Sequence, residues 1–204
     1  MIYKFKLSGE SLDLSKFEVE TLFKTKCTRK GNIGICNLSI SPAKVRNIAE
    51  KSAMIKKIYS KDNKIWEVTS GRFNLRVPTA RPAFHPTGMK PKMARMLVSL
   101  TGTKKEVLDP FCGIGATLIE AGVLGLSVLG SDYDDKMLEK TRTNLKHYKI
   151  KPKQIINADA TKLSEFYRKN SIEAIICDPP YGQSSTTSDK NLRNLFRSFM
   201  NEAH

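Results

Sequence analysis

The chain has 204 residues and four cysteines, at positions 27, 36, 112 and 177, with no C-x-x-C pair among them. That spacing excludes a cysteine-built zinc cluster and a disulfide framework. No stretch approaches the roughly 18–20 apolar residues a membrane span requires, and the nearest, residues 121–130, carries Ser127. The N-terminus, Met1-Ile-Tyr-Lys-Phe-Lys6, lacks the apolar core and small-residue cleavage site of a signal peptide. Aromatic residues make up only 8% of the chain, so phosphate contacts are a better expectation than a surface built mainly on base stacking. There is neither an internal repeat nor a low-complexity tract. What is present is a 40% apolar content, enough for a packed core, and 35 Lys and Arg against 20 Asp and Glu, a formal charge of +15. These features describe a basic, globular, cytoplasmic protein with no membrane partner.

The positive charge is concentrated. Residues 1–100 hold 20 Lys and Arg against 7 Asp and Glu, a balance of +13. Residues 101–204 hold 15 against 13, a balance of +2. A polyanion, nucleic acid above all, is the partner such a first half suits, although surface lysines also serve solubility alone.

Two patterns divide the chain. Residues 2–7 alternate apolar and polar as a half-buried strand does, and Leu12, Leu14, Phe17, Val19, Leu22 and Phe23 follow at near-helical spacing behind Ser11 and Asp13. Short strands are expected at 24–27, 33–38 and 54–59, with turn chemistry at 28–32 and a helix over 43–52 opened by Ser41-Pro42. The order β-α-β-β-α-β is ferredoxin-like. Four prolines, 78, 82, 86 and 91, mark an ordered linker, with short strands possible at 66–68 and 73–77 before it. A helix is expected over 90–100. Beyond Glu106, strand patterns at 107–109, 127–131, 154–157 and 174–177 alternate with helical ones at 116–122, 136–148 and 163–168. That alternation predicts a parallel sheet covered on both faces, a Rossmann-like arrangement. The expected boundaries are a ferredoxin-like α+β domain over 1–61, a linker over 62–91 and an α/β domain over 92–204.

The chemistry-bearing residues stand at the strand tips. Asp109-Pro-Phe-Cys-Gly113-Ile-Gly115 is a strand ending in a carboxylate, a glycine turn and a helix N-terminus, where backbone can approach a ligand. Leu118 stands where a dinucleotide fingerprint has its third glycine, and Asp109 would repel a pyrophosphate but suits an ammonium group. Asp132 and Asp159 end the next two strands. Each alone is better explained as a helix N-cap; three successive strand-tip aspartates are not, and they would converge on one crevice at the carboxyl edge of the sheet. The fourth strand runs into Asp178-Pro179-Pro180-Tyr181. The prolines donate no N–H and leave carbonyls as acceptors, so a carboxylate and a carbonyl are available to hold an exocyclic base amine, with Tyr181 stacked on the ring.

Taken in order, Asp109-Pro-Phe-Cys-Gly-x-Gly, Asp132, Asp159 and Asp178-Pro-Pro-Tyr resemble a class I S-adenosylmethionine-dependent amino-methyltransferase. Arg81-Pro-Ala-Phe-His85-Pro-Thr-Gly-Met-Lys-Pro-Lys92 and Leu7-Ser-Gly-Glu10 resemble a narrower group, the archaeal tRNA guanine-10 N2-methyltransferases and their eukaryal relatives. The resemblance implies S-adenosylmethionine as cofactor, tRNA as partner, and a direct displacement needing no metal. It implies that Asp109 and the turn through Gly113 and Gly115 hold the methionine end, Asp132 the ribose hydroxyls and Asp159 the adenine amine side. Phe111, Cys112, Tyr133 and Ala160 would also be among the cofactor-binding residues. His85 and Thr87 would flank the pocket. Asp178, Pro179, Pro180 and Tyr181 would be the catalytic set.

The chain departs from that family in two places. Only about 25 residues separate Tyr59 from His85, too few for the THUMP domain found there, since domains start near 50 residues. The family's catalytic sheet resembles a seven-stranded one, and three strands would be missing after Tyr181. The expectation is a truncated or split methyltransferase, completed by a second polypeptide or by self-association. Two alternatives stay open: a DNA adenine-N6 or cytosine-N4 methyltransferase, and a non-catalytic RNA-binding half.

Overall fold

The computed structural model describes residues 1–8, 11–62, 64–68, 72–180 and 189–203, with only the backbone of 189–191. Its contacts divide the chain into two units: Met1–Val77 with Pro91–Gly102, and Pro78–Lys90 with Thr103–His204.

In the first unit, strand β1 (Ile2–Leu7) turns Tyr3, Phe5 and Leu7 to one side, as its alternation requires. Helix α1 (Leu12–Phe23) starts where the Ser11 side chain accepts the Leu14 N–H. Helix α2 (Pro42–Ala49) starts at Ser41 with proline in its first position. Val19, Phe23, Val45 and Ala49 of these helices close over Tyr3, Phe5 and Leu7, so both helices lie on one face. Strands β2 (Cys27–Lys30), β3 (Ile33–Asn37), β4 (Ile55–Tyr59) and β5 (Ile65–Glu67) complete an antiparallel sheet ordered β2-β3-β1-β4-β5. The first four strands have the ferredoxin-like order, and β5 adds a margin.

Four expectations change here. The strand expected at 24–27 lies at 27–30, because Gly31, at φ +55°, closes a two-residue turn with Asn32 and shortens the hairpin. Residues 73–76 form a 3-10 turn rather than a strand; Phe73 packs with Met54 and Met96, and the Arg76 guanidinium lies 5.6 Å from its ring centroid. Helix α3 (Pro91–Thr101), expected to open the second domain, belongs to the first unit, where Met96 and Leu100 pack with Ala53, Met54 and Phe73. The expected linker is likewise divided, with 78–90 counted in the second unit.

The second unit is built on a parallel sheet of β6 (Glu106–Asp109), β7 (Ser127–Asp132) and β8 (Gln154–Asn157). Helices α4 (Ala116–Val123) and α5 (Asp135–His147) make the crossovers. Residues 160–165 are a 3-10 turn where a helix over 163–168 was expected; Asp159 caps it and Lys162 departs from helical angles. The strand expected at 174–177 is reduced to one parallel bridge, Leu108 with Ile175. Ala174 O accepts the Leu108 N–H and Ile176 N–H donates to Leu108 O, both at 2.9 Å. Pro179 and Pro180 have no N–H with which to extend the ladder. This segment lies on the side of β6 away from β7, so the order reverses there, and ligands in open α/β sheets bind at such a switch point. Helix α6 (Asp189–Glu202) brings Phe199 into a core with Leu108, Leu129 and Leu163. Among the described residues no helix is long and apolar enough to cross a membrane.

Candidate active site

Beyond Asp109 the chain turns sharply, and the carboxylate itself holds that turn. Asp109 Oδ1 accepts the Phe111 N–H at 3.0 Å, and the Thr117 hydroxyl donates to Oδ2. The side chain is buried, and desolvation pushes it up to about 7, with the charges of Asp132 and Asp178 raising it further against those two hydrogen bonds. Such a carboxyl is poised to ionise when a cation is placed beside it.

The loop continues through Gly113 and Gly115, at φ +50° and +81°, which L side chains rarely adopt. Among the described residues, its own chain neighbours apart, no atom lies within 4 Å of where a Cβ on Gly113 would sit. A Cβ on Gly115 would lie 3.2 Å from Thr141 Cγ2. Thr141 Oγ1 donates to Gly113 O at 2.6 Å, fixing the loop from α5. Cys112 is buried and Phe111 packs edge-on against Phe199 at 5.3 Å, so both of these predicted cofactor residues turn their side chains into the core.

Asp132, at the tip of β7, accepts the Gly113 N–H at 2.8 Å through Oδ2 and the Asp134 N–H at 3.0 Å through Oδ1. Burial raises its pKa above the ordinary carboxylate value. It therefore joins the first two strand tips directly. Tyr133 beside it is 78% exposed. Asp159 accepts the N–H and the hydroxyl of Thr161, both at 2.8 Å, which is the N-cap role; Ala160 is buried behind it.

Asp178 follows the bridge that pairs Ile175 with Leu108, and so stands near the tip of β6; its charge acts on Asp109. It is exposed, yet partial desolvation raises its pKa. Pro179 and Pro180 are half-buried. Tyr181 lies outside the described residues, as do Gly9 and Glu10.

The segment carrying His85 and Thr87 is tied into the same place by a residue that the strand-tip pattern did not reveal. Asn144, fully buried on α5, accepts the Ala83 N–H at 3.0 Å, donates to Ala83 O at 3.1 Å, and donates to Ile114 O at 2.9 Å. A Cβ on Gly88 would lie 2.8 Å from Ile114 Cδ1, so the 85–88 turn rests against the glycine loop. Within the turn, His85 Nδ1 and Thr87 Oγ1 are 2.8 Å apart. Buried Arg81 spans the segment by donating to Met89 O at 2.9 Å. The only signal for Asn144 and Thr141 was two polar residues on the apolar stripe that Leu138 and Leu145 define.

The UPF0020 family model (RMKL-like, methyltransferase domain) matches residues 78–204. A tRNA (guanine(10)-N2)-dimethyltransferase of Methanothermobacter thermautotrophicus is 43% identical over 139 residues, 67% of this chain and 40% of that protein. Its counterpart from Pyrococcus abyssi is 38% identical over 146 residues, 69% of this chain and 44% of that protein. The chain thus spans less than half the length of these two relatives. Among solved structures, TrmN from Thermus thermophilus superposes with a TM-score of 0.52 at 21% identity, covering 88% of this chain and 44% of that one, a likeness of fold.

Proposed function

The chain belongs to the UPF0020 family, the RMKL-like methyltransferase domain, and from that premise we propose that it methylates the exocyclic N2 amine of a guanine in tRNA, using S-adenosylmethionine. The observation that carries this reading is the convergence of Asp109, Asp132 and Asp178-Pro179-Pro180 at the switch point of one parallel sheet. The donor set suits the cofactor: space above Gly113 for close approach, a buried carboxyl matched to an ammonium, and a second strand-tip carboxylate matched to a ribose diol. Asp159 and Ala160 would border the adenine, Tyr133 the ribose, and His85 and Thr87 the pocket rim. The backbone at Phe111, Cys112 and Gly115 would shape the methionine end.

S-adenosylmethionine, when bound, supplies a methyl group on a sulfonium centre. Asp178 and the Pro179 carbonyl accept hydrogen bonds from the two amine N–H groups of guanine, turning the nitrogen lone pair out of the ring. Pro180 keeps that shelf stiff. After transfer, Asp178 takes the surplus proton, which its raised pKa favours, and passes it to solvent from its exposed position. Alignment supplies much of the acceleration, since effective molarities reach on the order of 10⁵–10⁸ M in well-oriented systems.

The basic first unit is the RNA-facing part in this reading, and the location is the cytoplasm. The 174–177 segment pairs with β6 on one side and is the margin of the described sheet, so a second polypeptide or a second copy of the chain would complete it. A labelled-methyl assay tests the whole proposal, run with tRNA, with tRNA lacking the target guanine, and with duplex DNA. Label should enter only the first. Asp178→Ala should cut transfer at least a hundredfold while cofactor affinity stays within twofold. Transfer to DNA, or an active Asp178→Ala protein, refutes it.

A further inference from the structure

The helices of the first unit cover only one side of its sheet, and the register shows what the other side carries. Because Tyr3, Phe5 and Leu7 face the helices, Lys4 and Lys6 face away. Lys4 stands opposite Ile35 on one neighbour and Tyr59 on the other. One step along, Lys30 stands opposite Ile33, Ile33 opposite Lys6, and Lys6 opposite Lys57. Three lysines thus share one row across four strands, with a fourth in the next row. At the ~4.8 Å spacing of strands, Lys6 and Lys57 are direct neighbours and Lys30 is about 10 Å from Lys6.

Like charges placed directly opposite in a sheet destabilise it. Glu67, on the marginal strand, answers one of them, pairing with Lys57 at 2.9 Å. Lys4 and Lys30 are exposed, and Ile35 and Tyr59, both half-buried, flank Lys4 in its own row, so apolar side chains stand beside the charges. A polyanion with phosphates along its length and flat faces between them complements this arrangement, and the release of its counterions would drive the contact.

We propose that this uncovered sheet face, centred on Lys4, Lys6 and Lys30, is a docking surface for the phosphate backbone of RNA. The identity of that RNA as tRNA rests on the function proposed above. The contact is with backbone rather than with base edges, so it contributes affinity and little sequence preference.

The test is fluorescence anisotropy of the full chain with a labelled tRNA transcript across a salt series. Lys6→Gln/Lys30→Gln should weaken binding about tenfold at 0.1 M salt and reduce the slope of log affinity against log salt by about 1.5, two contacts at ~0.7–0.9 each. Lys44→Gln/Lys51→Gln, which removes two exposed lysines from the helix side, should change the slope by less than half as much. Equal losses in the two variants, an unchanged slope in the first, or binding of the wild type to phosphatidylserine vesicles but not to tRNA would each overturn the proposal. Failed methyl transfer with this binding intact strikes the catalytic reading and leaves the sheet face standing. Normal transfer with the first variant's binding unchanged does the reverse.

Discussion

Asp109 is where burial and charge work against each other most plainly. Its carboxyl rises from 3.8 to about 7 because burial disfavours the anion more than Thr117 and Phe111 can restore it. Between those values the folded protein holds a proton that the unfolded chain has lost. Stability therefore falls by on the order of 4 kcal/mol as pH rises from about 4 to about 7 and is level above that. Asp109→Asn should flatten that slope, which urea midpoints at pH 5 and pH 8 will show. Cofactor affinity should rise with pH through the same window in the wild type and be lost in the variant. The four strand-tip aspartates were legible in the sequence because a carboxylate after an apolar run is conspicuous. Their orientation was not, because it depends on partners far along the chain: Thr117 for Asp109, Gly113 for Asp132. Asp159 also caps the 160–165 turn through Thr161.

Among the elements, α5 does more than cross between strands. Its buried stripe carries Thr141 and Asn144 as well as leucines, and through them it holds both the glycine loop and the Ala83 backbone. Asn144→Ala would strand an N–H and two carbonyls, at a cost of roughly 2–4 kcal/mol. Amide exchange at residues 83–88 should accelerate well before global unfolding, and cofactor affinity should fall with it. Gly115→Ala, by contrast, should act on the loop alone, through φ +81° and the crowding of Thr141. The β-α-β-β-α-β unit was legible because alternation, Ser11 and the Ser41-Pro42 pair mark its boundaries locally. The 73–76 turn was not: Phe73, Leu75 and Val77 alternate like a strand, and only the packing of Phe73 with Met54 and Met96 makes it a turn. The apolar face of α3 announced a helix but could not announce which core it joins.

For the molecule as a whole, the contrast between +13 and +2 in the two halves of the chain now has a physical location. In the first unit Lys4, Lys6 and Lys30 stand on the sheet face away from α1 and α2. In the second unit Asp109 and Asp132 stand at the tips of β6 and β7, with Asp178 just beyond the bridge to β6. The proposals give these surfaces different tasks, one holding a polymer and the other aligning a single amine. Composition alone distinguished the halves but not the surfaces, because a lysine count carries no register. The path of the chain has a further consequence. It changes unit at 77/78, 90/91 and 102/103, so the peptide backbone passes from one unit to the other three times. No single protease cut can then yield both units whole. A fragment of residues 92–204, the boundary that the proline-rich stretch suggests, would carry α3 without Phe73 and Met54, and Asn144 without Ala83. Such a fragment should aggregate or bind a hydrophobic dye, whereas the intact chain should melt cooperatively. Anyone dissecting the protein must recombine pieces rather than isolate them, since each unit borrows a segment that lies across the other's sequence.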